Sequence, residues 1–254
     1  MKNLANIVKD AAYKIAYLFS TDKAPLRKDY KLIMDEDFKE KRLNQCYWSK
    51  ISPSKAVWRI HASKDDDLFE FTDDGLRLHS IKNSKGYRTC GITTAHKKYF
   101  VNGKIEIVVR MKNCDKSWHR IFALGENNAK LKKISEIELS KCSWKKHFTY
   151  QTVYDGSMAS NRCRRLSLRA WLNPEKWNTF TLKTDEHSVS MYINGIKTFE
   201  YKNRKGKKYG FGDYANPLNL NISSQLGGNW PGWPKDGDEL EGWIEIKSVK
   251  MWKA

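Results

Sequence analysis

From Tyr30 to its C-terminal end the chain is cut into short apolar or alternating runs separated by Asp, Asn, Gly and Lys clusters, and this texture constrains the fold most strongly. Period-two alternation sends successive side chains to opposite faces of an extended strand, so each run can bury one face and wet the other. The runs Gly75 to Ser80, Tyr87 to Thr93, Gly103 to Met111, Trp118 to Leu124, Ser135 to Ser140, Phe148 to Tyr154, Trp177 to Lys183, Ser188 to Ile193, Lys197 to Tyr201, Leu218 to Ser223 and Trp243 to Met251 read as strands. Their spacing, with almost no helix after residue 20, predicts an all-β, jelly-roll-like antiparallel sandwich. Asn194-Gly195 predicts a tight hairpin between Met191-Tyr192-Ile193 and Lys197 to Tyr201, because both residues tolerate positive φ.

The first residues have a different period. Leu4, Ile7, Val8, Ala11, Ala12, Ile15, Leu18 and Phe19 recur at three- and four-residue steps, which predicts an amphipathic helix over 3–19. Its apolar stripe is expected to dock on the rest of the chain, on a sister subunit, or on a membrane or larger assembly. Thr21 to Arg27, with Pro25 and mixed charge, reads as a linker. The expected organisation is a helix over 1–20, a linker over 21–29 and one sandwich over 30–254.

Forty-seven Lys and Arg against twenty-nine Asp and Glu leave a formal charge of +18. Such a surplus attracts polyanions: nucleic acid, an anionic membrane, or a sulfated or uronic polysaccharide. It is spread through the chain, with local runs at Lys130 to Lys133, Lys145-Lys146, Arg162 to Arg165 and Lys202 to Lys208, so solubility is an equally ordinary use. The five cysteines are odd in number and lack paired spacing, which argues against a zinc site and a disulfide framework. No signal-peptide pattern and no bilayer-length apolar stretch is visible. The expectation is therefore cytoplasmic synthesis without a signal peptide, with a phage particle or release by lysis as further settings. No nucleotide loop, metal-ligand cluster or catalytic-triad spacing points to an organic cofactor. Ten tryptophans can pack a core or offer flat faces to sugar rings or bases.

In Ile134-Ser-Glu-Ile-Glu-Leu-Ser-Lys141 the alternation puts Glu136, Glu138 and Ser140 on one face and Ile137 and Leu139 on the other. On a surface strand two carboxylates two residues apart are usually a solvated face, and only their surroundings make them a candidate site.

The order of segments resembles glycoside hydrolase family 16. Leu32 to Phe38 followed by Leu43-Asn44 and Trp48 is similar to that family's opening, and Asp74 to Leu78 to its next strand. Cys90 to Thr94, Phe100 to Lys112, Ser117-Trp118 and Ile121 to Leu124 continue in the same order, as do Trp177 to Phe180, Val189 to Gly195, Leu220-Asn221, Gly227 to Gly232 and Ile244 to Trp252. This resemblance covers residues 30 to 253 and implies a concanavalin A-like sandwich of two curved antiparallel sheets, with a cleft that takes polysaccharide.

It also implies roles. The family's catalytic strand reads glutamate, aliphatic, aspartate, aliphatic, an optional residue, glutamate. Glu136 takes the nucleophile position and Glu138 the place of the aspartate, while Ser140 or Lys141 stands where the acid/base glutamate belongs, depending on whether the optional residue is present. Retaining hydrolysis needs two carboxyl groups about 5 to 5.5 Å apart, so this departure leaves open whether the cleft cleaves a β-linked glycan or only binds it. Glu138 is a candidate replacement for the lost acid, and Glu126 and the scattered aspartates are further stand-ins. His147 and Gln151 resemble a family pair of histidines, with glutamine in the second place. Asn229 and Trp230 resemble a cleft-edge motif, with Trp230 the favoured sugar-stacking ring ahead of Trp118, Trp144 and Trp233; Phe122 completes the expected substrate-binding set. The family sometimes carries a structural calcium, for which this sequence picks out no ligands. A structural or interaction protein, for instance in a phage particle, is the alternative on the same fold.

Overall fold

The computed structural model describes residues 29–143, 147–158, 162–203, 213–235 and 239–254, together with Ile15, Ala24, Phe211 and Gly237. The helix expected over 3–19 and the linker after it lie, but for Ile15, Ala24 and Asp29, outside the described residues. From Lys31 onward the architecture is antiparallel β-sheet. No helix among the described residues is long and apolar enough to cross a membrane.

The sheet that carries the site runs, edge to interior, through β10 (Arg162–Trp171), β9 (Phe148–Ser157), β8 (Lys133–Ser143), β7 (Ser117–Gly125), β14 (Leu218–Leu226) and β5 (Gly86–Thr93), with β2 (Ser49–Lys50) against β5. The second sheet runs through β4 (Leu76–Asn83), β15 (Leu240–Lys253), β6 (Gly103–Lys112), β11 (Asn178–Thr184), β12 (Ser188–Ile193) and β13 (Ile196–Lys202). β1 (Lys31–Glu36) adds to β15 and β3 (Phe69–Phe71) to β4. The sheets are joined at β5, whose first half pairs with β4 and whose second half pairs with β14. β12 and β13 turn on Asn194 and Gly195, with φ of 51° and 81°, as the sequence predicts.

Between the sheets lies one continuous apolar core. Ile121 and Ala123 of β7, Ile137 and Leu139 of β8, Val153 of β9, and Leu220 and Ile222 of β14 meet Ile105, Ile107, Phe180, Leu182, Met191, Ile244 and Ile246 from the facing sheet. Full burial of each such side chain contributes about 1.5–3 kcal/mol, which is what fixes strand register: a one-residue slip would turn the core side outward. The other faces of β7, β8, β9, β10 and β14 are left to build a site. None of the five cysteines forms a disulfide.

Candidate functional site

Registers across β14, β7, β8, β9 and β10 arrange the outward side chains in rows. One row reads Asn219, Leu124, Glu136, Tyr154, Arg165, and the next Asn221, Phe122, Glu138, Thr152, Ser167. A third reads Ser223, Arg120, Lys141, Tyr150, Arg169.

Strict alternation would put Ser140, not Lys141, into that third row. Instead β8 carries a bulge: Phe122 faces Glu138 while the preceding Ile121 faces Ser140, and the pairing with β9 slips between Glu138 and Lys141. One extra residue therefore sits between the second carboxylate and the next outward position. Ser140 turns inward, fully buried, with its hydroxyl 2.9 Å from Thr149 Oγ1. The expectation that Ser140 shares a face with Glu136 and Glu138 is thus corrected, and Lys141 takes the next outward position on β8.

Both carboxylates converge on one cation. Nη2 of Arg120 donates to Glu136 and, at 2.6 Å, to Glu138 Oε1. The guanidinium lies 3.9 Å from the centre of the Phe122 ring, which is itself capped edge-on by Trp58 at 5.4 Å. Glu138 is almost wholly buried, whereas a quarter of the Glu136 side chain is exposed. Burial pushes the Glu136 carboxyl above its ordinary range; Arg120 pulls it back and the neighbouring Glu138 charge adds to the rise. Beside them the Lys141 ammonium lies 4.4 Å from the Trp230 ring centre and 5.6 Å from that of Trp118. Burial lowers its pKa, opposed by Glu138 and reinforced by Arg120 and Arg165.

The aromatic wall is a stack of edges. Trp230, 41% exposed, meets Trp118 at 6.0 Å and Tyr150 at 5.9 Å, both near perpendicular. Trp118 is mostly buried and donates its indole N–H to the Gly227 carbonyl at 2.9 Å, so it holds Trp230 from behind. Asn229 is exposed beside Trp230 at the rim. Trp233 packs with His61 and Tyr87 at the side of the same loop, and Trp144 lies outside the described residues.

Two expected substrate contacts are corrected. Phe122 is fully buried beneath Arg120 and Trp58, so it has no free face for a sugar. Gln151 is also fully buried and points between the sheets, where its Oε1 accepts from Thr198 at 2.7 Å. His147 is half-buried, and its Nδ1 has no hydrogen-bond partner among the described residues. Glu126 is tied to Asn219 and His96 at the end of β7 and does not bond Arg120 or Lys141. The sequence alone does not single out Arg120, Trp58, Tyr150, Tyr154, Arg165 or Arg169. Arg120 carries a signal, since it alternates in step with Trp118 and Phe122; nothing marks Trp58, which comes from a short turn over Val57–Arg59. Among the described residues no three His, Cys, Asp or Glu side chains group as a metal site would require.

The sandwich has a jelly-roll fold like that of glycoside hydrolase family 16, and Glu136 and Glu138 stand on its strand β8. The laminarinase catalytic domain of Thermotoga maritima superposes with a TM-score of 0.75 at 19% identity, over 89% of this chain and 99% of that one. SCLam, described as a non-specific endo-β-1,3(4)-glucanase from family GH16, gives 0.73 at 14% identity over 91% and 97%. LamA from Zobellia galactanivorans, solved in complex with laminaritriose and laminaritetraose, gives 0.71 at 16% identity over 87% and 98%. At these identities the likeness establishes the fold. No family model matches the sequence, and no curated protein matches it.

Proposed function

We propose that the chain is a carbohydrate-binding protein that holds a β-linked polysaccharide along the Trp230, Lys141 and Glu136 face and does not cleave it by the family's retaining route. The observation that carries this reading is the bulge in β8, which brings Lys141 into the outward row where a second carboxyl group would be required. Retention needs one carboxylate to attack carbon and one carboxylic acid to protonate the leaving oxygen. An ammonium at the second position adds positive charge beside a transition state that is itself cationic, so it opposes the reaction. The would-be nucleophile is also engaged, because Glu136 shares Arg120 with Glu138. What remains suited to sugar is the exposed Trp230 ring, the tyrosines beside it and the hydroxyl and amide groups of the neighbouring rows.

Titration calorimetry with a panel of neutral and anionic β-linked tetrasaccharides tests the binding half of the reading. At least one of them is expected to bind, with Trp230→Ala weakening it by about five- to tenfold, since aromatic stacking contributes about 1 kcal/mol. Failure of every tetrasaccharide to bind would remove the reading. For the second half, reducing ends are counted on the matching polysaccharides. Release by the wild type that disappears in Glu136→Gln would show hydrolysis retained through an unconventional acid and overturn the non-cleaving assignment.

A further inference from the structure

We infer that this outward face is built for an anionic glycan, one whose sulfate or carboxylate groups seat between Lys141 and Arg165 while its rings lie against Trp230, Tyr150 and Tyr154. This rests on the binding reading above and goes further by naming the ligand's charge.

Charge balance on this face carries the argument. Its outward rows hold two carboxylates, Glu136 and Glu138, and both are engaged by Arg120. Lys141 occupies the next position on the same strand, and Arg165 and Arg169 close the rows beyond Tyr154 and Tyr150. None of these three cations has a carboxylate within ion-pair distance among the described residues. They rest on rings instead: Lys141 on Trp230 at 4.4 Å, Arg165 on Tyr154 at 5.5 Å, Arg169 on Phe148 at 4.8 Å. A half-buried ammonium has given up water, and a ring face replaces only part of that loss. An anion brought in by a ligand would supply the rest through a charge-assisted hydrogen bond in a poorly hydrated setting.

Alternation of ring and cation matches the chemistry of a charged sugar chain. A sugar ring offers apolar C–H faces and, at its edge, the substituent; Tyr154 with Arg165 and Tyr150 with Arg169 present a ring and a cation side by side at two outward positions of β9 and β10, with the Thr152 and Ser167 hydroxyls in the row between them. Four residues of extended strand set these two pairs about 13 Å apart. A neutral glucan would leave Lys141 and Arg165 with no anion in ion-pair contact. The overall charge of +18 is a poorer argument, since it draws any polyanion to any face.

The test separates this face from the rest of the surface by using short ligands. Calorimetry compares a neutral β-linked tetrasaccharide, a sulfated one and a uronate one at low and high salt, with wild type, Lys141→Met, Arg165→Met and Lys247→Met. Lys247 is exposed on β15 in the other sheet and serves as the control. The expected result is at least about tenfold tighter binding of an anionic tetrasaccharide than of the neutral one, narrowing at high salt. Lys141→Met and Arg165→Met should each remove about five- to tenfold from the anionic ligand alone, and Lys247→Met nothing. Arg165 is exposed at the sheet edge, so its variant tests the idea even if Lys141→Met fails to fold. Whether the sulfated or the uronate ligand binds better assigns the substituent. Equal or tighter binding of the neutral ligand overturns this inference while leaving the binding reading intact, as does a Lys247→Met loss matching that of Lys141→Met. Failure of all three ligands to bind overturns both.

Discussion

Arg120 sets the charge state of the outward face around Glu136 and Glu138, and its replacement has a calculable consequence. Methionine fills much of the same volume over Phe122 but leaves Glu136 and Glu138 close together without the guanidinium they share. Removing one partner from a buried ion pair costs about 3–5 kcal/mol, because the remaining charge is stranded. Arg120→Met is therefore expected to lower stability by about 3 kcal/mol near neutral pH in urea unfolding. The sign with pH comes from linkage. Burial already lifts the Glu136 carboxyl above its ordinary range, and loss of Arg120 lifts it further. The folded variant then binds more protons than its unfolded chain above the unfolded carboxyl pKa, so its deficit against wild type should shrink as pH falls towards that value. A deficit that stays constant between pH 7 and 5 would mean that the carboxylates find another partner. The residues alone point to the acidic pair but not to the base between them. Glu136 and Glu138 are adjacent in one strand, whereas Arg120 meets them only through the β7–β8 register, which is a tertiary fact.

At the scale of elements, the strands that the sequence conceals are those whose outward faces are unusually charged or whose alternation is broken. In sequence β10 reads only as the basic run Arg162 to Arg165, yet its Leu166 and Ala170 pack on the core while Arg165 and Arg169 face outward, as befits a charged edge strand. The bulge in β8 is legible only as two alternatives, since one extra residue leaves composition unchanged and inverts everything after it. Glycine-led strands are legible because their reason is steric. Gly103 opens β6 with φ of 153°, and a Cβ there would stand 2.0 Å from the Trp252 carbonyl oxygen. Gly75, just before β4, meets the Ile246 carbonyl in the same way, so β15 is clasped at two points by glycines. Gly103→Ala must push β6 and β15 apart. It is expected to cost more than about 2 kcal/mol in urea unfolding, against about 1 kcal/mol or less for a substitution at an exposed site. A loss under that smaller figure would show that the strand ends separate at little cost.

The molecule as a whole is legible from Tyr30 onward because the alternating runs and the order of segments both arise from one core shared by two sheets. Which polar residues lie inside that core is not legible, since burial belongs to the packed sandwich and not to any one strand. His119 is one of these. It is wholly buried on the inner side of β7, with Nε2 3.1 Å from the Lys112 carbonyl oxygen and Nδ1 3.1 Å from Ser224 Oγ. In the neutral ring Nε2–H donates to the carbonyl and Nδ1 accepts from the serine hydroxyl, so a second proton would place a full charge in the core. Burial lowers its pKa from 6.5 to about 4. Between those two values the unfolded chain takes up a proton that the folded chain refuses, so stability must fall as pH is lowered through that window. At 1.36 kcal/mol per pH unit the loss reaches about 2 kcal/mol by pH 5. His119→Gln keeps a donor for Lys112 and an acceptor for Ser224 without the titration. It is expected to start less stable near pH 7 but to lose about 2 kcal/mol less than wild type between pH 7 and 5, as read from urea unfolding at each pH. Glu136, whose raised pKa acts in the opposite sense, is common to both proteins and cancels in the comparison. Parallel losses in the two proteins would place the acid sensitivity of the sandwich elsewhere and show that His119 accepts its proton without leaving the fold.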